Sequence, residues 1–327
     1  MDKPSSLERW DAVVAAYLSS RHALGREYRN EEWVLDHLRS FLVRAGAVDL
    51  DQPLFDRWRA QFYSMSASTR VIREHAVFRF CRYRRRREPH CFLPDRAALA
   101  RLRPYALPTL IEPEQIARLL KYVSQLPPTP CSPIRSAGLR MAIVLLYTAG
   151  LRRGEVVRLT LGDTDASAGV LRIRESKFHK SRWIPLSDSA RAELRRYLDA
   201  RRRGGFDDDP RAPLLCMRRS YSRTRAYTGE GLRDCLRKIL IAADIHDSAG
   251  RIPRVHDFRH SFAVAALLRW YEADADVQSN LPKLALYMGH VSIVSTAYYL
   301  RWMPAVVSKA SDRFARSCAH VLDGGAP

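Results

Sequence analysis

The chain has 327 residues and an ordinary apolar fraction of 46%, enough for two folded domains and too much for a disordered basic tail. Its formal net charge of +20 costs self-repulsion unless a polyanion is the partner, which makes nucleic acid the first candidate. No stretch approaches the ~18 consecutive apolar residues that span a bilayer, and Met1-Asp2-Lys3-Pro4 leads into no apolar signal core, so the expectation is a cytoplasmic protein with no membrane partner.

Residues 7–103 carry helical patterns only. Trp10, Val13, Val14, Tyr17 and Leu18 mark one apolar face, and Trp33, Val34, Leu38, Phe41 and Leu42 mark a second. Leu54, Phe55, Trp58 and Phe62 predict a third, short helix. Ser66 then offers a cap for a fourth, bearing Val71, Ile72, His75, Phe78 and Cys81. That helix runs into Arg82-Tyr83-Arg84-Arg85-Arg86-Arg87. An isolated arginine run is most simply a solvated helix end. In a chain this basic, Arg82, Arg84, Arg85, Arg86 and Arg87 are expected to contact phosphates. Basic residues outnumber acidic ones on both sides of position 105, as a clamp on a polyanion requires and a single basic tail does not.

Two prolines in Arg103-Pro104-Tyr105-Ala106-Leu107-Pro108 predict a linker, dividing the chain into domains at 1–105 and 106–327. Pro113 and the acids around it predict a helix start, and residues 136–149 a core helix that stops at Gly150. Val170–Arg174 and Arg182–Leu186 read as two strands around a turn, the one convincing β signal. Only seven lysines occur in the chain, and two of them, Lys177 and Lys180, sit at that turn. Ser187 caps a helix through Arg203, and further helices are predicted at 228–243, 256–271, 281–288 and 292–302, with a last one after Pro304. The fold class is therefore mainly α with a small β-sheet. The six cysteines are scattered without a C-x-x-C pair, which favours reduced thiols over zinc or a disulfide frame.

Chemistry concentrates between Val255 and Arg301. His256, Arg259 and His260 form one cluster, followed by Gly289-His290 and the pair Tyr298-Tyr299. An arginine grips phosphate by charge and a forked hydrogen bond, histidine moves protons near neutral pH, and tyrosine can act as a covalent nucleophile. Each piece has a plainer reading. His256 and His260 at i and i+4 have metal-ligand spacing, but Asp257 stands where a zinc protease needs glutamate, and Arg259 would crowd a dication. His260 alone reads as a core histidine, Glu155 as a capping or ion-pair partner, and two tyrosines in an apolar helix as packing.

Taken in order, TAGLRRGEV at 148–156, a hairpin lysine, H-D-F-R-H at 256–260, L-Y-M-G-H at 286–290 and a tyrosine resemble the tyrosine recombinase, or phage integrase, family. The resemblance covers essentially the whole chain. It implies a helical core-binding domain followed by a recombinase-type α+β catalytic domain. The family's T-G-L-R-x-x-E motif falls on Arg152 and Glu155, with Ala149 inserted between its Thr and Gly. Its H-x-x-R pattern falls on His256 and Arg259, and its histidine-or-tryptophan position on His290. The spacing from that position selects Tyr299 over Tyr298 as nucleophile. Of the turn lysines, Lys177 matches better as the general acid. Lys180 and Arg182 are then expected on the DNA backbone.

The implied reaction is site-specific cleavage and rejoining of DNA through a 3′-phosphotyrosyl link. It uses no metal and no cofactor, in keeping with the absence of a G-x-x-x-x-G-K-[ST] loop. The implied partners are double-stranded DNA with a specific site and further protomers, as a homotetramer or mixed with related recombinases. The G-H-V-S-I-V-S-T-A-Y-Y-L form most resembles integrases of transposons and other mobile elements. The rival activities are type IB topoisomerase-like relaxation and DNA binding by an accessory protein that has lost catalysis.

Overall fold

The structure is a computed structural model that describes residues 6–24, 28–101, 108–174, 181–220, 223–290, 294–297 and 299. The chain divides into two compact units, Met1–Ala106 and Leu107–Pro327.

The first unit is helical: α1 (Ser6–His22), α2 (Arg29–Arg44), α3 (Gln52–Ala60) and α4 (Ala67–Arg84). Asp51 and Ser66 cap α3 and α4 through side-chain oxygens that accept from Leu54 N at 2.8 Å and Thr69 N at 3.2 Å. The core joins Trp10 and Tyr17 of α1 to Leu35, Leu38 and Leu42 of α2, Phe55 and Trp58 of α3, and Val77 and Phe80 of α4. Trp33, expected on the apolar face of α2, is 46% exposed. The Arg73 guanidinium lies 4.4 Å from its ring centroid and 4.2 Å from that of Phe62, so a cation–π stack stands where burial was expected.

The second unit contains α5 (Pro113–Ser124), α6 (Arg135–Thr148), α7 (Arg153–Arg158), β1 (Thr164–Asp165), β2 (Val170–Ile173), β3 (Arg182–Pro185), α8 (Asp188–Arg203), β4 (Cys216–Ser220), β5 (Arg223–Ala226), α9 (Gly229–Ala242), α10 (Val255–Glu272), α11 (Val277–Met288) and α12 (Val294–Ala297). Helix α6 is the hub. Leu139, Ala142, Ile143, Leu145 and Leu146 are at most 1% exposed, and each such leucine contributes roughly 1.5–3 kcal/mol relative to solvent. Around it pack α5, α8 and α10.

Strands β1, β2 and β3 form an antiparallel sheet in that order, with Leu171 opposite Ile184 and Arg172 opposite Trp183. Leu171, Ile173 and Ile184 face the core. A second hairpin, β4 against β5, escapes the sequence reading. Its strands read C-M-R-R-S and R-T-R-A, too rich in arginine to show the apolar–polar alternation of a half-buried strand.

Helix α11 begins at Val277, earlier than the predicted 281. Asp276 caps it by accepting from Gln278 N and Ser279 N, and the helix runs on through Pro282, forgoing one main-chain hydrogen bond. Of the predicted helix at 292–302, α12 and Tyr299 are described. The linker at 103–107, Lys177, Lys180, Tyr298 and the helix predicted after Pro304 lie outside the described residues. No helix among the described residues is long and apolar enough to cross a membrane.

Candidate active site

Helix α11 ends at Met288, and Gly289 follows in the left-handed conformation at φ 65°. The carbonyls at a helix C-terminus lack main-chain donors and carry the negative end of the helix dipole. Here arginines from three other segments serve them in succession. Arg182 Nε donates to Tyr287 O at 2.7 Å, Arg259 donates to Met288 O, and Arg152 donates to Gly289 O at 2.8 Å. Gly289 is required for a second reason: a Cβ at this position would lie 2.8 Å from the Arg182 guanidinium.

Arg152 is the N-cap residue of α7 and Glu155 its third helical residue. The Glu155 carboxylate accepts from the Arg152 amide at 2.9 Å and from the Arg152 side chain at 2.8 Å. It also accepts two bonds from Arg182, both at 3.0 Å. Glu155 is 3% exposed and offsets two guanidiniums from a buried position, in the role of ion-pair and capping partner expected of it. Arg259, 1% exposed, donates to Gly150 O as well. Gly150 ends the α6 turn at φ 59°. Burial and the Arg152 charge push the Arg259 guanidinium down to about 9, which leaves it protonated at neutral pH.

Three imidazoles and a phenol complete the cluster. His256 and His260 lie one turn apart on α10 with ring centroids 4.6 Å apart. His260 in turn faces Tyr299, at 5.4 Å between centroids, and His290 stacks on Tyr299 at 6.4 Å and 21°. His290 Nδ1 is 2.7 Å from the Thr296 hydroxyl, itself fully buried. Tyr299 is 3% exposed and packs with Ala263, Leu267, Leu281, Leu284 and Met288.

Desolvation and the surrounding cations hold all three histidines below their usual range. For His290, burial followed by Arg259 and Arg152 lowers it to about 3. For His256, which keeps an exposed edge, the causes are loss of water around the ring, then His260 and Arg259. His260 is lowered mainly by burial. All three imidazoles are therefore neutral at pH 7, able to accept a proton or to donate a single hydrogen bond.

Of the site residues expected from sequence, Arg152, His256, Arg259, His290 and Tyr299 thus come together. Arg182, expected on the DNA backbone, is drawn inward instead. Its side chain is 9% exposed and bound to Glu155, because β3 places it on the same sheet face as the buried Ile184. His260, read from sequence as a core histidine, contacts the Tyr299 hydroxyl at 3.0 Å. The signal was its i+4 spacing from His256, which puts both rings on one helix face. Among the described residues, no group of three or more His, Cys, Asp or Glu could hold a metal ion.

In the first unit the arginine run splits. Arg82, Arg85, Arg86 and Arg87 are exposed. Arg84, expected with them on phosphate, turns inward to pair with Asp49 and with Glu88, the latter at 2.6 Å, and lies over the Trp10 ring. Its guanidinium is committed to the fold of its own unit.

The family model described as the phage integrase family matches residues 109–304. Two integrase/recombinases of Sinorhizobium fredii (strain NBRC 101917 / NGR234) are similar over nearly full length. One is 30% identical over 316 residues, 96% of this chain and 96% of the relative; the other is 34% identical over 308 residues, 93% and 96%. A tyrosine recombinase XerA of Thermococcus kodakarensis is 28% identical over 64% of each chain. Among solved structures, the Tn1549 transposon integrase in complex with transposon right end DNA superposes with a TM-score of 0.64 at 16% identity, covering 94% of this chain and 98% of that one. A lambda integrase dimer bound to a core site gives 0.59 at 14% identity, covering 88% and 94%. At such identities the likeness is one of fold.

Proposed function

This chain belongs to the phage integrase family of tyrosine recombinases, and from that premise we propose how its residues carry the family's chemistry. It is a site-specific DNA recombinase that cleaves and rejoins DNA strands. Its substrate is double-stranded DNA carrying a specific site, and its biological role is integration, excision or transposition of a mobile element.

Tyr299 attacks the scissile phosphate, forming a 3′-phosphotyrosyl link and releasing a 5′-hydroxyl. Arg152 and Arg259 hold the non-bridging oxygens and stabilise the charge that builds on phosphorus. Lys177 protonates the leaving 5′-oxygen, and Lys180 contacts the backbone nearby. His256 takes the phenol's proton or helps to place it, and His290 donates to the phosphate. The link conserves the energy of the phosphodiester, so a second strand's 5′-hydroxyl can reverse the step without ATP. Arg82, Arg85, Arg86 and Arg87 neutralise phosphates outside the reacting centre. The chain acts as a tetramer on DNA, alone or mixed with related recombinases, with residues after 303 docking on a neighbouring protomer.

One observation carries this reading: Arg152, Arg182 and Arg259 converge on the end of α11 beside Tyr299, with the buried Glu155 carboxylate shared between Arg152 and Arg182. A site so cationic favours an anion. The test is covalent capture. A randomised duplex library is incubated with the protein, and DNA that stays attached after denaturation is sequenced. The wild-type chain is expected to capture a defined site and Tyr299→Phe none. Adducts from Tyr299→Phe that vanish in Tyr298→Phe would overturn the choice of nucleophile. Truncation after residue 303 is expected to abolish tetrameric complexes.

A further inference from the structure

Among the described residues, His260 meets the Tyr299 hydroxyl, its Nδ1 lying 3.0 Å away. His256, the histidine matching the family motif, lies one helical turn before His260, with 4.6 Å between ring centroids. We propose that His260 is the group that activates the nucleophile: its Nδ1 accepts the Tyr299 proton as the phenol oxygen bonds to phosphorus. The proposal rests on Tyr299 being the nucleophile.

Several observations support the assignment. His260 is held on α10 between Arg259, whose guanidinium is anchored to Gly150 O and Met288 O, and Ser261, whose hydroxyl donates to Asp257 O and accepts from Ile111 N at 2.9 Å. The ring is therefore presented from a rigid stretch of backbone. The phenol is equally fixed, since Tyr299 packs among Ala263, Leu267 and Met288 and stacks on His290. Burial also keeps the His260 imidazole neutral, the only state in which Nδ1 can accept.

The step balances. The phenolic O–H bond breaks and its proton goes to Nδ1; the phenol oxygen bonds to phosphorus; the bond from phosphorus to the 5′-oxygen breaks, and that oxygen takes a proton from the general acid. His260 is then an imidazolium, and returns its proton when tyrosine is expelled during rejoining. His256, one turn away on α10, is then left to help place that proton.

Accepting the phenol's proton at Nδ1 requires the tautomer with its proton on Nε2. Nitrogen-15 spectra of the full-length wild-type protein without DNA read this directly. The expected result is an unprotonated Nδ1 at His260 whose resonance moves in Tyr299→Phe; a protonated Nδ1 would overturn the proposal even if no variant folded. Kinetics give the second test, on the duplex obtained by covalent capture. His260→Phe keeps the packing and His260→Gln keeps an acceptor without basicity. Both are expected to bind DNA as wild type and to form adduct about 100-fold or more slowly, the range that general bases supply.

A duplex with sulfur in place of the scissile 5′-oxygen has a leaving group that needs no proton. It is expected to restore Lys177→Ala and to leave the His260 deficit unchanged. Cleavage by His260→Phe within about threefold of wild type, or recovery of it by sulfur, would assign the proton transfer elsewhere. Adducts formed by Tyr299→Phe would instead sink the nucleophile assignment and leave the tautomer result standing.

Discussion

Glu155 and Arg182 are joined by a forked pair of hydrogen bonds, both at 3.0 Å, in the interior of a site otherwise suited to an anion. The same carboxylate caps α7 through the Arg152 amide. Its position is set by helix geometry, because a residue three places into a helix can reach back to the cap. Glu155→Gln keeps the size and one acceptor but removes the charge that offsets Arg152 and Arg182. Breaking a buried charge network in this way costs about 3–5 kcal/mol, and chemical denaturation is expected to show a loss of that order. Because a bound phosphodiester supplies negative charge to the same cations, DNA is expected to raise the melting temperature of Glu155→Gln by more than that of wild type.

The left-handed glycines provide a graded series. Gly46, Gly289 and Gly150 all have φ near 60°, so alanine at any of them costs about 1 kcal/mol for the backbone alone. Their surroundings differ. Nothing lies within 4 Å of a Cβ at Gly46, whereas one at Gly289 meets Arg182 at 2.8 Å and one at Gly150 meets the Phe262 ring at 2.4 Å. Denaturation is expected to rank the losses Gly46→Ala, then Gly289→Ala, then Gly150→Ala. Since Gly289→Ala displaces Arg182, it should also slow adduct formation, and Gly46→Ala should not.

The difference between those glycines marks where sequence reading stops. Gly150 is visible as a helix terminator, and Arg152, His256, Arg259 and Gly289-His290 as chemistry in a fixed order. What the sequence does not show is which way a side chain turns. Arg182 alternates with Trp183 along β3, and only the sheet's orientation decides that Arg182 faces Glu155 while Trp183 is 64% exposed. His260 was visible as a helical neighbour of His256, but its contact with Tyr299 depends on a segment 39 residues away. The β4–β5 hairpin was missed for a different reason: its pairing is local, but its arginine-rich strands lack the apolar–polar alternation that marks a half-buried strand.

Orientation likewise separates the arginines at and beyond the end of α4. Arg84 pairs with Asp49 and Glu88 and covers Trp10, so Arg84→Ala is expected to destabilise the first unit by about 1–2 kcal/mol, partner exposure limiting the ion-pair share. Replacing Arg82, Arg85, Arg86 or Arg87 is expected to leave melting unchanged and to weaken DNA binding uniformly across sequences. For each phosphate that is no longer neutralised, the slope of log affinity against log salt should fall in magnitude by about 0.9. A titration series in salt checks this. An unchanged slope in the quadruple variant would remove the run from the DNA interface.

The histidines predict an acid-side instability with a definite sign. His290 titrates at about 3 in the folded chain, because burial and then Arg259 and Arg152 oppose its charge, against roughly 6.5 when unfolded. Between those values the unfolded chain binds a proton at this position that the native one does not. Stability from this group is therefore complete above about pH 6.5 and is lost as pH falls toward 3. His256 and His260, lowered by their own burial and neighbours, act in the same direction. Proton NMR of the imidazole resonances should place the His290 midpoint well below the ordinary value. Arg259→Gln, which removes one opposing charge but not the burial, should move it only part of the way up. A His290 midpoint at or above 6.5 in the DNA-free protein would mean that the imidazole is solvated and not facing this cationic cluster.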